Sequence, residues 1–145
     1  MKKAITHIKH DRANLSKIHK LAAEHQRVVQ ANVNWLIAHE VCQADKYAAI
    51  PETEVPTSLS DRWQRCAWQP ACGIVQSWYS NGRENPPDLR KVCIQANTNV
   101  VVSEPSNTPQ FDFWLRISTL DAGHPVRIPI TLYERARETL AQFPK

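Results

Sequence analysis

The sequence predicts an α+β fold: long N-terminal helices, then a small antiparallel sheet or partial barrel, then a short C-terminal helix. Three observations carry this. Residues 11–44 run without Gly or Pro; residues 91–104 are rich in β-branched side chains; and QFDFWLRISTLDAGHPVRIPITL (110–132) alternates with period two around a Gly-containing turn. At 145 residues the chain is long enough for one core or two small lobes. The expected division is 1–82, helical, and 83–145, the β lobe with its helix.

The first helix starts after Asp11, a good N-cap. Leu15, Ile18, Ala22, His25, Val29, Val33 and Leu36 recur at steps of three and four and form its packing stripe. His25 is read as a satisfied core histidine rather than a ligand. Lys17, Lys20, Glu24 and Arg27 lie off the stripe and are read as a solvated face ahead of a phosphate-facing one. IPETEVPTS (50–58) is a connector. Ser58 or Ser60 caps a second helix, whose apolar side is Leu59, Trp63, Cys66, Ala67, Ile74, Val75 and Trp78, and Pro70 is expected to kink or split it. Asn81-Gly82 ends it, Pro86-Pro87 forms another connector, and residues 91–104 form one strand or two around Asn97-Thr98-Asn99.

In the hairpin, Phe113, Leu115, Ile117 and Thr119 fall on one face, and Asp112, Trp114, Arg116 and Ser118 on the other. A two- or four-residue loop places Ile117 opposite Ile128 and Arg127 opposite Ser118, with Arg116 diagonal to it. Two guanidinium groups then share the wet face, a surface suited to an anionic partner. Residues 133–143 close as a short helix.

Eighteen Lys and Arg against 14 Asp and Glu give a net charge of +4 and a pI near 9.0, a mild lean toward polyanions. No window is apolar enough to span a membrane and the start lacks a signal-peptide core, so a cytoplasmic protein is expected. Cys42, Cys66, Cys72 and Cys93 form no C-x-x-C pair and are read as reduced thiols; a metal at Cys66 and Cys72 is the least favoured reading. With three glycines and no phosphate-loop pattern, nucleotide hydrolysis is disfavoured. Leu120-Asp121-Ala122-Gly123 resembles the D-x-G that opens a metal-dependent nuclease site, but is read as a turn, since no second acidic strand accompanies it. No catalytic residue, metal ligand or cofactor site is assigned. Arg62-Trp63-Gln64-Arg65 remains, where arginines flank an aromatic. Trp63 and Trp78 are read as core, and for Arg65 a phosphate contact and a solvated charge stay open.

SLSDRWQRCAWQPACGIVQSWYSN, followed by FDFWLRISTLDAGHPVRIPI, resembles the N-terminal half of TnpB-like proteins, transposon-encoded relatives of the type V CRISPR effectors. The matching elements are Gly73-Ile74-Val75-Gln76-Ser77-Trp78, the strand Phe111 to Leu120, and Arg127-Ile128-Pro129-Ile130. The resemblance implies a helical recognition lobe beside a wedge-like β part, together gripping a guide RNA and target DNA, with the RuvC-like acidic triad and zinc ribbon of those RNA-guided endonucleases further along the chain. Neither motif occurs here, so the expectation is a binding fragment without nuclease activity, contacting RNA and DNA through Arg62, Arg65, Arg90, Lys91, Arg116 and Arg127. The alternative is a small structural or protein-interaction domain whose basic charges only solubilise it.

Overall fold

The computed structural model describes residues 6–7, 12–45, 55–91 and 93–142. The elements in chain order are β1 (Thr6–His7), α1 (Arg12–Ala38), α2 (Asp61–Ser80), β2 (Val101–Pro105), β3 (Phe113–Ile117), β4 (Val126–Thr131) and α3 (Glu134–Ala141). This is the α+β layout expected, helices first, then an antiparallel sheet and a short closing helix. The chain forms two compact units, residues 18–100, and residues 1–17 with 101–145.

In the helical unit the α1 stripe packs as its periodicity dictates: Ala22, His25, Val29, Val33 and Leu36 are buried, joined by Leu21, Val28 and Asn32. The helix stops at Ala38, short of the thirty or so residues expected. Glu40 takes a left-handed conformation (φ 54°) and the Val41 N–H donates to the Leu36 carbonyl at 2.9 Å, closing the last turn. Glu24 and Arg27 do more than face water. Arg27 donates to both Glu24 oxygens and to the Pro56 carbonyl, and the Thr57 hydroxyl donates to Glu24 at 2.7 Å, so the connector is clasped to α1. The Arg27 guanidinium holds the Glu24 carboxyl at about 2, well below its ordinary 4.5.

Helix α2 contributes Trp63, Cys66, Ala67, Trp68, Ala71, Cys72 and Val75 to the core. Of the two outcomes expected at Pro70, a kink or a split, the split does not occur: the helix is continuous from Asp61 to Ser80. Proline removes the hydrogen bond that the residue at 70 would donate to the carbonyl at 66. The backbone of Cys66 lies beside His25 of α1. The contact is not a straight hydrogen bond, because both His25 ring nitrogens lack a partner in good geometry. His25 is therefore a core histidine, 0 % exposed and edge-on to Trp63 with centroids 5.9 Å apart, but an incompletely satisfied one. Its burial pushes its pKa below the ordinary 6.5.

Residues 83–100, placed by the sequence after a boundary at 82, belong to this unit. Gln30 donates to the Pro87 carbonyl at 3.0 Å and accepts from the Leu89 N–H at 2.9 Å, while Gln26 donates to the Leu89 carbonyl. Of the strand expected over 91–104, the described residues form only its end, within β2 (Val101–Pro105). Asn97 turns the chain: its side-chain oxygen accepts from the Asn99 N–H and its carbonyl from the Val100 N–H.

In the other unit the sheet order is β1-β4-β3-β2, all antiparallel. The hairpin register is two residues tighter than expected: Ile117 pairs with Val126 and Leu115 with Ile128, so Arg116 and Arg127 lie directly opposite each other. Pairing stops at Ile117 because Thr119 turns inward, 8 % exposed, and its hydroxyl donates to the His124 carbonyl at 2.9 Å and accepts from the Asp121 N–H. An even slip preserves the faces. Val126, Ile128 and Ile130 are buried on one, while Arg127 and Pro129 lie on the other. Asp112 then ties α3 to the sheet, accepting from the Leu132 N–H at 2.7 Å and from Arg137 at 2.8 and 3.1 Å.

Two outcomes test this packing. Ile128→Ala should cost about 2–4 kcal/mol in urea unfolding, through a cavity on the buried face. Acid should destabilise the protein in two windows. Below pH 6.5 the unfolded chain protonates His25 while the buried ring resists, so stability falls; Glu24 adds stability that is complete above 4.5 and is lost as pH drops toward 2. His25→Gln should flatten the first decline and leave the second, and a parent whose urea midpoint does not change between about pH 7.5 and 5 would contradict the buried, neutral histidine.

Candidate nucleic-acid interface

The charge excess is concentrated at one end of the sequence. Residues 1–17 hold Lys2, Lys3, Lys9, Arg12 and Lys17 against Asp11 alone, whereas residues 18–145 hold 13 basic and 13 acidic side chains. A phosphate-binding surface on the remainder must therefore come from local arrangement rather than from net charge.

The hairpin provides one. Antiparallel pairing puts Val102, Arg116 and Arg127 in one cross-strand row, and Glu104, Trp114 and Pro129 in the next. Both rows are on the face opposite the buried Val126, Ile128 and Ile130. The two arginines do not simply face solvent, as the alternation alone suggested. Glu104 lies between them, with Oε1 2.7 Å from Arg116 Nε and Oε2 2.9 Å from Arg127 Nε. The Arg127 contact is a well-directed hydrogen bond; the Arg116 contact is a close ion pair whose N–H is not aimed at the oxygen. The group stays accessible, with side-chain exposures of 40 % for Arg116 and 59 % for Arg127. Two guanidinium groups and one carboxylate leave a local charge of +1. Beside them the Trp114 ring is held edge-on by Phe111, centroids 4.5 Å apart.

The other four sites named from sequence are separate from this group. Arg62 and Arg65, three apart on α2, are both exposed; Arg62 donates to the Asn99 carbonyl at a long 3.4 Å. Trp63 between them is buried at 1 % exposure, so this stretch provides arginines without an accessible ring from that residue. Arg90 pairs with Asp88 at 3.2 Å on the open surface. Lys91 lines a cavity of about 120 Å³ with Gln26, Val29, Pro70, Ile74, Leu89, Cys93 and Gln95. This space shares Pro70, Ile74 and Gln95 with an open groove floored by Gly73. Half-buried Trp78 meets Tyr79 edge-on, and the Arg83 guanidinium sits 4.2 Å from the centre of the Tyr79 ring.

Asp121 of the D-x-G lies in the β3–β4 turn, its carboxylate 3.7 Å from Lys17. Among the described residues no group of three His, Cys, Asp or Glu side chains could hold a metal ion. Cys66 and Cys72 are buried in α2, and burial pushes the Cys66 thiol upward. Among the described residues no helix is long and apolar enough to cross a membrane.

Glu104 is the member of the hairpin group that the sequence reading missed. Its signal was present: it shares a strand face with Val102, two residues away, and pairing that strand onto Phe113–Ile117 puts a carboxylate on the arginine face.

Compared with models of known families, with curated proteins and with solved structures, the chain matches none.

Proposed function

We propose that this chain is a nucleic-acid-binding module, the N-terminal binding part of a TnpB-like RNA-guided endonuclease, which grips RNA and DNA through their phosphates and performs no cutting itself. The observation that carries the reading is the juxtaposition of Arg116 and Arg127 on the outer face of the hairpin, bridged by Glu104 and flanked by Trp114. Arginine suits this role because its planar fork holds two phosphate oxygens at once. Such contacts position a strand without reading its sequence. Arg62, Arg65, Arg90 and Lys91, and the basic residues of the first seventeen, extend the same chemistry along the chain.

A second reading, a protein-interaction domain, is favoured by the groove over Gly73 and Ile74, whose walls are uncharged. The two readings diverge in their salt dependence. For a phosphate-binding surface, log affinity for duplex DNA falls linearly with log salt, at about −0.9 per phosphate neutralised.

Arg116→Ala with Arg127→Ala should weaken binding to all sequences alike and make that slope shallower by roughly two contacts, with stability reduced by no more than about 1 kcal/mol. Fluorescence anisotropy across a salt series on nuclease-treated protein measures both quantities. Parent affinity in the double variant at every salt concentration would leave the hairpin as a solvated surface.

A further inference from the structure

We infer that Glu104 is a positioning residue for a phosphodiester-binding fork made by Arg116 and Arg127, with the Trp114 ring beside it as the surface for the attached base or sugar. This rests on the nucleic-acid reading and deepens it, naming the anion the site takes and the residue that shapes it.

The geometry separates two roles for an acidic residue among arginines. A carboxylate that only neutralises its neighbours would engage the outer ends of their side chains, where the guanidinium meets water and ligand. Glu104 instead approaches both at Nε, the nitrogen nearest the backbone, with one oxygen for each: a directed hydrogen bond from Arg127 and a close ion pair with Arg116. Neither arginine's terminal Nη pair has a hydrogen-bonding partner among the described residues. Among the described residues the fork is thus contacted at its base and open at its tips. Arginine otherwise loses substantial rotamer freedom when it is immobilised by a ligand, and that loss is smaller where the side chain is already ordered.

The charge also selects a ligand class. With Glu104 ionised the group carries +1, matched to the single charge of a phosphodiester rather than to a dianionic terminal phosphate. The neighbouring row supplies the non-ionic part of the site. Trp114 stands opposite Glu104 on one side and Pro129 on the other, and its contact with Phe111 fixes the ring. A base or sugar stacked there would place its own phosphate next to the fork.

The test is binding of a short mixed-sequence single-stranded RNA, followed by anisotropy over a salt series, for the parent, Glu104→Gln, Arg127→Lys and the double arginine-to-alanine variant. Circular dichroism and urea midpoints are recorded alongside. Glu104→Gln removes a negative charge from an anion-binding surface, yet should weaken binding about fivefold, because the fork loses its ordering carboxylate. Arg127→Lys, an exposed change that keeps the charge, should weaken binding to a similar degree with the salt slope unchanged. Tighter binding by Glu104→Gln is the result for a merely neutralising carboxylate and would overturn the proposal, as would parent affinity in Arg127→Lys. The double variant keeps the two failures apart. If it binds like the parent, the nucleic-acid reading falls; if it binds weakly while Glu104→Gln binds more tightly, only the positioning role falls.

Discussion

The helical unit depends on how α1 and α2 meet around a proline. Pro70 sits mid-helix, where it leaves the Cys66 carbonyl without its helical donor, a loss of roughly 3 kcal/mol or more at an exposed site. Helix α2 nonetheless runs unbroken from Asp61 to Ser80. Its apolar side is buried against the stripe of α1, and the ring of His25 stands against the Cys66 backbone and the face of Trp63. Burial of two tryptophans, Trp63 and Trp68, outweighs a defect of that size, since a fully buried large side chain contributes about 1.5–3 kcal/mol. The remainder of the unit follows from the same pairing. Glutamines 26 and 30 project from α1 to hold Pro87 and Leu89, and Glu24 with Arg27 holds the connector before α2.

The sheet unit is organised by a different constraint, the two-sidedness of a short antiparallel sheet. Its buried face is the alternate set Val126, Ile128 and Ile130. Its other face mixes Val102, Trp114 and Pro129 with three charged side chains, and there Glu104 lies against both Arg116 and Arg127 and leaves a local charge of +1. Function, on this account, uses the face that the core does not require.

Helix, hairpin and closing helix were legible because each rests on local periodicity. The stripe Ala22, His25, Val29, Val33 and Leu36 and the alternation through 113–117 and 126–130 need no knowledge of the partner element. What was not legible depended on tertiary context. Pro70 reads as a break when α2 is considered alone, and is tolerated in a helix whose preceding turns are packed against α1 through Trp63 and Trp68. The hairpin register depends on one hydroxyl: Thr119 reads as another inward strand residue, but bonds the loop backbone and ends pairing two residues early. Residues 91–104 have strand composition, yet among the described residues pairing begins only at Val101, after Asn97 has turned the chain. At the candidate site the two arginines were found by counting, and Glu104 was not, because its role appears only once β2 is registered against β3.

The central claim, that the outer face of this hairpin is where phosphates are held, is tested most directly by photo-crosslinking the native protein to single-stranded RNA and mapping the modified peptides by mass spectrometry. The account predicts nucleotide adducts on the peptide containing Trp114 and Arg116 and on the one containing Arg127, both lost in high salt. Adducts confined to peptides from residues 69–77 and 89–95, or an absence of any adduct at low salt, would contradict it.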